Sequence, residues 1–183
     1  MKGAPIVAGS RVYLRHPTNR DAEEFLRLMR RSRSFLRPWV KPPLTEEAFG
    51  AQVRRCRGEQ HFGALICLND GGAITGVINI NEIVRGLFQS GYLGYYIAAP
   101  YAAQGYMSEG MRLLIGHAFK HLKLHRLEAN IQPGNLHSVR LVRRLGFSRE
   151  GLSPRYLKIG GRWRDHERWA MLAERWRAGS PGR

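Results

Sequence analysis

Acidic residues are scarce in this chain: 14 Asp and Glu stand against 30 Lys and Arg over 183 residues, for a formal charge of +16. That balance rules out an acidic surface and attracts polyanions at long range, with ribosomal RNA, DNA and nucleotide phosphates as the obvious classes. Only five of the basic residues are lysine, so the charge is mostly guanidinium, the group suited to bidentate phosphate contact. A solvated arginine-rich face explains the same composition without any partner. Cysteine is equally sparse. Cys56 and Cys67 lie in apolar surroundings with no second pair and no CxxC spacing, which argues against a disulfide framework or a zinc knuckle and predicts reduced, buried thiols. Long apolar runs are missing as well. Nothing approaches the roughly 20 residues needed to cross a bilayer, and MKGAPIVAGSRVYLRH has no signal-peptide core, so the expectation is a soluble cytoplasmic protein.

What remains suffices for a folded domain, since 43% of the residues are hydrophobic. RVYLR at 11–15 reads as a strand, and Thr18 or Asn19 can cap a helix whose Asp21, Glu23 and Glu24 favour its positive end. Phe25, Leu28 and Met29 share one face of it. Pro38, Pro42 and Pro43 then forbid helix and leave Phe35 and Trp39 on a loop. A second helix runs from Thr45 to about Arg57, and HFGALICL and AITGVINI flank an Asn-Asp-Gly-Gly turn, a strong hairpin signal. GYLGYYIA is another strand. From Ser108 the apolar residues Met111, Leu114, Ile115, Ala118 and Phe119 recur at helical spacing, LHRLEANI returns to strand character, and a helix from about Asn135 stops at Gly146. A final hairpin turns at Gly160-Gly161. The pattern predicts one α+β domain over 1–178, a mixed, mostly antiparallel sheet of about seven strands with about four helices, and a loose tail at 179–183.

YAAQGYMSEG at 101–110 is the first candidate site. A helix that begins right after a strand, with glycine at the junction, presents free N–H groups and its positive dipole end to one point, which suits an anion. The donors are the amides of Gln104, Gly105, Tyr106, Met107 and Ser108. An ordinary glycine turn gives the same pattern, and the Walker and dinucleotide-binding glycine motifs are absent.

About thirty residues later comes NLHSVRLVRRLGF, Asn135 to Phe147. Together the two segments resemble the first two motifs of the GNAT superfamily of N-acetyltransferases: a (Q/R)xxGx(G/A) pyrophosphate loop opening a helix, a strand, then an Nxx(S/A)xxLYxxLGF helix. The ending YLKIGGRWRDHERWAM and Pro38-Trp39 are similar to the ribosomal-protein-alanine N-acetyltransferases of the RimJ/RimL type. The resemblance covers about residues 10 to 176. It implies a GNAT fold with splayed central strands and transfer of acetyl from acetyl-CoA to the N-terminal amine of a protein, plausibly a ribosomal one, without a metal. A basic surface would help such an enzyme reach rRNA; a monomer and a homodimer are both compatible.

The resemblance also distributes roles. Gln104 to Ser108 would take the pyrophosphate, backbone groups of Tyr96, Ile97 and Ala98 would pair with the pantetheine arm, and Asn135 would bond that arm too. Arg140 and Arg143 are candidates for the adenosine phosphates, with solvated arginine as the plainer alternative. The chain departs from the pattern at Ala102 and Met107, where Gln or Arg and Gly or Ala are usual, although neither change removes a backbone donor. Val142 stands where many relatives carry the tyrosine that protonates the leaving thiolate. Ser138 is then the hydroxyl expected to hydrogen-bond the sulfur, unless it serves only to cap the helix. Leu93 occupies the place of a glutamate base; Glu82 acting through water is the substitute candidate, with a solvated strand carboxylate as its alternative.

Trp39, Tyr95, Tyr156 and Trp163, with Phe35, could wall an acceptor pocket, and core packing serves some of them equally well. Asp165 either receives an amine or pairs with an arginine. His117, His121 and His125 are spaced by four, but the helix is expected to end near Leu122 and no HExxH glutamate is present, so no metal site is expected. Two other functions fit the composition: acetylation of a small amine, which a +16 surface would repel, and a GNAT-fold protein weakened in catalysis that binds ribosomes or RNA.

Overall fold

The computed structural model describes residues 3–179. Nine strands form one sheet: β1 (Pro5–Ala8), β2 (Val12–Arg15), β3 (Arg57–Gly58), β4 (His61–Leu68), β5 (Ile74–Val84), β6 (Ser90–Ile97), β7 (Arg126–Ile131), β8 (Ser148–Ile159) and β9 (Arg162–Leu172). Their order is β1-β2-β4-β5-β6-β7-β9-β8, with β3 beside β4. Every pairing is antiparallel except β6 with β7. Six helices accompany the sheet among the described residues: α1 (Ala22–Arg31), α2 (Arg33–Leu36), α3 (Glu46–Arg55), α4 (Tyr106–Lys120), α5 (Leu136–Arg144) and α6 (Ala173–Gly179).

The α+β expectation holds, with more elements than the pattern predicts. The additions are β1, the two-residue β3, the one-turn α2 and α6. Each is four to seven residues or shorter, below the length at which periodicity is readable. The predicted proline loop begins one helical turn late, because Arg33–Leu36 fits a turn of helix before Pro38. Apart from Gly179 at the end of α6, the tail expected at 179–183 lies outside the described residues.

The sheet is covered on both faces. On one, Met111, Leu114, Ile115 and Ala118 of α4 and Leu141 and Val142 of α5 pack against Val12, Leu14, Ile66, Ile78 and Ile80. On the other, Phe25, Leu26 and Met29 of α1 and Phe49 of α3 pack against Leu65, Cys67 and Val77, with the Phe25 and Phe49 rings stacked at 4.5 Å. Residues His61 to Cys67 of β4 are therefore buried on both sides, and so read as an unbroken apolar run rather than an alternating one. Both cysteines are free and buried, and burial pushes each thiol up to about 11, which keeps it protonated and unreactive.

One charged pair sits inside this core. Arg15, on β2, grips Asp21 with both guanidinium nitrogens, at 2.8 and 2.7 Å, and neither side chain touches solvent. Asp21 closes the 3-10 turn before α1, where it also accepts from the Thr18 N–H at 2.8 Å and the Thr18 hydroxyl at 3.0 Å. The acid expected to favour the helix dipole is thus consumed in joining α1 to the sheet. Burial by itself would raise the Asp21 carboxyl, but the Arg15 and Thr18 donors outweigh it and hold the group below its ordinary value. The ion's stabilisation is complete above the unfolded value of about 3.9 and is lost as pH falls through the lower folded value, so acid unfolding should set in below about pH 4. Asp21→Asn leaves a buried guanidinium without its counter-charge and should cost about 3–5 kcal/mol, read as a lowered urea midpoint at unchanged m-value.

Candidate active site

The site begins where a pairing stops. β6 and β7 share three register pairs, Ser90 with Arg126, Gly91 with Leu127 and Tyr92 with Glu128, and then part. Beyond that point β6 stays on β5 as far as Ile97, while β7 stays on β9 as far as Ile131. A wedge opens between two strands that are each held on the outer side only. The Ala98 N–H donates to the Thr75 carbonyl at 2.8 Å, and the Tyr96 carbonyl lies so close to β5 that a Cβ on Gly76 would meet it at 2.6 Å. Backbone alternation then turns the N–H and C=O of Tyr95 and Ile97 into the wedge. Of the expected trio Tyr96, Ile97 and Ala98, Ile97 alone faces the gap; Tyr96 and Ala98 face β5.

At the open end lies the glycine loop. Gly105 is the N-cap of α4, with φ 84°, and having no side chain it leaves the first amides of the helix uncapped. Two other helices do carry a side-chain cap: Thr45 accepts from the Ala48 N–H of α3, and Asn135 from the Ser138 N–H of α5, whereas α1 and α2 share the uncapped start. An uncapped helix start in an open cleft is suited to an anion. Gln104 turns its side chain back to the Pro100 carbonyl at 2.7 Å, so the loop offers backbone there. Tyr106 and Met107 sink partly into the core, and Ser108 lines the cleft.

Arg11, from the turn between β1 and β2, locks this loop and has no signal in the sequence. Its Nη1 donates to the Gln104 carbonyl at 3.0 Å, its Nε pairs with Glu109 at 3.1 Å, and its guanidinium covers the Tyr106 ring at 5.1 Å. Glu109 also accepts from the backbone N–H groups of Arg11 and Val12 and from the Ser10 hydroxyl. Burial opposes ionisation of Glu109, and these donors overcome it and hold the carboxyl below its usual value. Arg11, Arg112, Arg140, Arg143 and Arg144 with His137 line a cleft of about 900 Å3 at the loop, within the size range of small-molecule sites. Part of the basic surplus thus lies beside the uncapped amides.

On α5, Ser138 is half-buried and its Oγ lies 2.5 Å from the Tyr95 hydroxyl on β6. Tyr95 was expected in an acceptor wall; alternation along β6 puts it, with Leu93, on the α5 side instead. Burial pushes its phenol up to about 12 against the opposing bond from Ser138. Val142 and Leu93, the two departures in the second motif and on the strand, are core residues at 0% and 8% exposure. Asn135 caps α5 through Oδ1, which accepts the Ser138 N–H at 3.3 Å.

The opposite face of the wedge differs in chemistry. Trp39 lies against the β7–α5 connection, where a Cβ on Gly134 would meet its ring at 3.2 Å, and Lys41 of the same loop approaches Gly160 at the tip of the β8–β9 hairpin. Tyr156 sits 6.1 Å from the His166 ring and bonds Tyr92, whose phenol is raised by burial and by the Glu128 carboxylate. Trp163 is 60% exposed at the hairpin end, and Phe35 is exposed on α2. Glu128, which sequence reasoning overlooked, stands at the last β6–β7 pair, held by Arg126 at 2.8 Å. Glu82 does not join Ser138: it follows the Asn81–Tyr92 pair towards the closed end of the strands, is mostly exposed and meets Arg55 of α3 at 3.5 Å. Asp165 accepts the Arg155 backbone N–H at 2.8 Å, a contact with an arginine made through its main chain rather than its guanidinium.

The histidines disperse. His117 of α4 and His121, which caps the end of that helix, stack at 5.0 Å, while His125 pairs with Glu174 on α6. No group of three or more His, Cys, Asp or Glu among the described residues is arranged to hold a metal ion, and no helix among them is long and apolar enough to cross a membrane.

The family model described as an acetyltransferase (GNAT) domain matches residues 11–148. The chain belongs to the GNAT family of N-acetyltransferases. It is 34% identical over 184 residues to the [ribosomal protein uS5]-alanine N-acetyltransferase of Escherichia coli, covering 94% of this chain and 92% of that one. It is 32% identical to the probable N-acetyltransferase YjcK of Bacillus subtilis, over 91% and 97% of the two chains. Among solved structures, Mycobacterium smegmatis RimJ in complex with CoA-disulfide superposes with a TM-score of 0.82 at 28% identity, covering 89% of this chain and 82% of that one. As a GNAT enzyme the chain uses acetyl-CoA as acetyl donor. The wedge, the uncapped α4 and the arginine cleft fit such a molecule. Gly105→Ala would force a side chain into left-handed backbone and bring its Cβ to 2.9 Å from the Arg11 Nη2. A strain of about 1–2 kcal/mol should weaken coenzyme A binding roughly tenfold by calorimetry with the fold retained.

Proposed function

We propose that this enzyme acetylates the N-terminal α-amine of a protein, with an alanine terminus of a small-subunit ribosomal protein as the favoured acceptor. The observation that carries the reading is the two-sided wedge: cationic and backbone-lined towards α4 and α5, aromatic and open towards Trp39 and the β8–β9 hairpin. The relative named for alanine acetylation of ribosomal protein uS5 supports the choice of acceptor. The basic surface, +16 overall, suits an encounter with an RNA-rich particle and disfavours a small polycation.

Acetyl-CoA supplies the activated acetyl group. The amides from Gln104 to Ser108 bind its pyrophosphate, with Arg11 beside them and Arg140 and Arg143 taking the outer phosphates. The edge groups of Tyr95 and Ile97 pair with the pantetheine arm, joined by the Asn135 NH2. Trp39, Tyr156 and Trp163 frame the entry of the acceptor terminus, and Glu128 offers its ammonium form a carboxylate. An α-amine has an ordinary pKa of about 7.7–8.0, so an appreciable fraction is neutral near pH 7.5 and attacks without a dedicated base. Positioning then supplies much of the rate. Ser138 hydrogen-bonds the departing sulfur.

The test follows thiol release from acetyl-CoA with an alanine-initiated peptide and with a panel of small amines. Turnover with the peptide is expected; turnover with the amines alone assigns a different acceptor. Ser138→Ala should lower kcat about ten- to a hundredfold, the worth of a hydrogen bond to a charged group at about 1.5–3 kcal/mol, while leaving KM for acetyl-CoA within twofold. An unchanged kcat removes Ser138 from the mechanism.

A further inference from the structure

Beyond that assignment, the geometry points to Tyr95 as the positioning residue for Ser138: its phenol donates to the serine Oγ and thereby aims the serine's own O–H at the sulfur of acetyl-CoA. The inference rests on the acetyl-transfer reading of the wedge and adds a residue that the sequence comparison does not single out.

Three observations carry it. The two oxygens lie 2.5 Å apart, a short hydrogen bond between hydroxyls that reach each other from different elements, β6 and α5, 43 residues apart in sequence. The Ser138 hydroxyl is free of capping duty, because Asn135 Oδ1 already accepts the Ser138 N–H at 3.3 Å. And Tyr95 is a stiff donor. It belongs to a strand held in register with Ile78 on β5, and its phenol has only two side-chain torsions. A serine hydroxyl left alone has three rotamers and a rotating proton. Once Oγ accepts from the phenol, the better donor of the two because a phenol is more acidic than an alcohol, its own hydrogen is directed away from Tyr95. That hydrogen is then free for a second acceptor, and the acceptor proposed is the sulfur.

The phenol aims the serine and does not act as the acid. With Tyr95 raised to about 12 and a thiol at about 8.5, moving a proton from phenol to departing thiolate is disfavoured by a factor of about 10³. In the transfer the amine nitrogen bonds the acetyl carbon, the carbon–sulfur bond breaks with its electron pair remaining on sulfur, and the amine's proton leaves to water. The Ser138 O–H bonds the sulfur anion, which later takes a proton from solvent. Tyr95 keeps its own proton throughout.

Two measurements test this. Initial rates of peptide acetylation are compared for wild type, Tyr95→Phe, Ser138→Ala and the double variant. Tyr95→Phe is expected to lower kcat about tenfold, with KM for acetyl-CoA within twofold and the melting temperature close to wild type, and the double variant to be no slower than Ser138→Ala. Wild-type kcat in Tyr95→Phe, or losses that multiply in the double variant, overturns the inference. The second measurement titrates the thiol of bound coenzyme A by ultraviolet absorbance and needs no acceptor. Its midpoint should rise by about one pH unit, a tenfold change in ionisation, in both single variants. A rise in Ser138→Ala without one in Tyr95→Phe also overturns the role of Tyr95. If wild type acetylates neither peptide nor amine, the proposed function falls while the thiol titration still decides between the two outcomes for Tyr95.

Discussion

Everything in this molecule that concerns chemistry depends on two parallel strands that stop pairing after three residues. A sheet that continued its ladder between β6 and β7 would satisfy its backbone and leave no slot. Here each strand is secured on its outer side, β6 by β5 and β7 by β9, so the inner edges can stay apart without collapse. The unpaired groups that would be a liability at a sheet edge become a binding surface. Helices cover the wedge on one side, and aromatic loops border it on the other. The division into a donor side and an acceptor side follows from that arrangement.

Part of the basic surplus gains a location once the chain is folded. Arginines from the β1–β2 turn, α4 and α5 gather around a helix start that no side chain caps, while Glu109 spends its acceptor capacity on holding Arg11 and the N-terminal hairpin in place. Apart from the buried Arg15, most of the other arginines lie on the outer surface, where solvent screens them.

Much of this was legible beforehand, and the limits have physical causes. The hairpin at Asn69–Gly72, the α4 periodicity and the stop at Gly146 are local signals, and local signals survive folding. So is the Gly105 junction, whose positive φ is what a bare backbone permits. The partnership of Tyr95 with Ser138 and the lock of Arg11 on the glycine loop join residues 43 and 93 positions apart, and no local pattern encodes them. Backbone alternation also decided which of Tyr95, Tyr96, Ile97 and Ala98 face the gap. That rule is simple, but its phase becomes known only when one hydrogen bond, from Ala98 to Thr75, is seen. Val142 and Leu93 looked like losses of function against the family pattern; both are core residues.

The buried Arg15–Asp21 pair has a consequence for how this sequence can change. Either partner alone leaves a charge stranded in apolar surroundings, whereas an apolar pair of matching volume in both places can be as stable as the original. Between the two states lies a valley a single substitution deep. The pair therefore works as a historical ratchet: once acquired it resists stepwise removal, whether or not it is the best solution for joining α1 to the sheet.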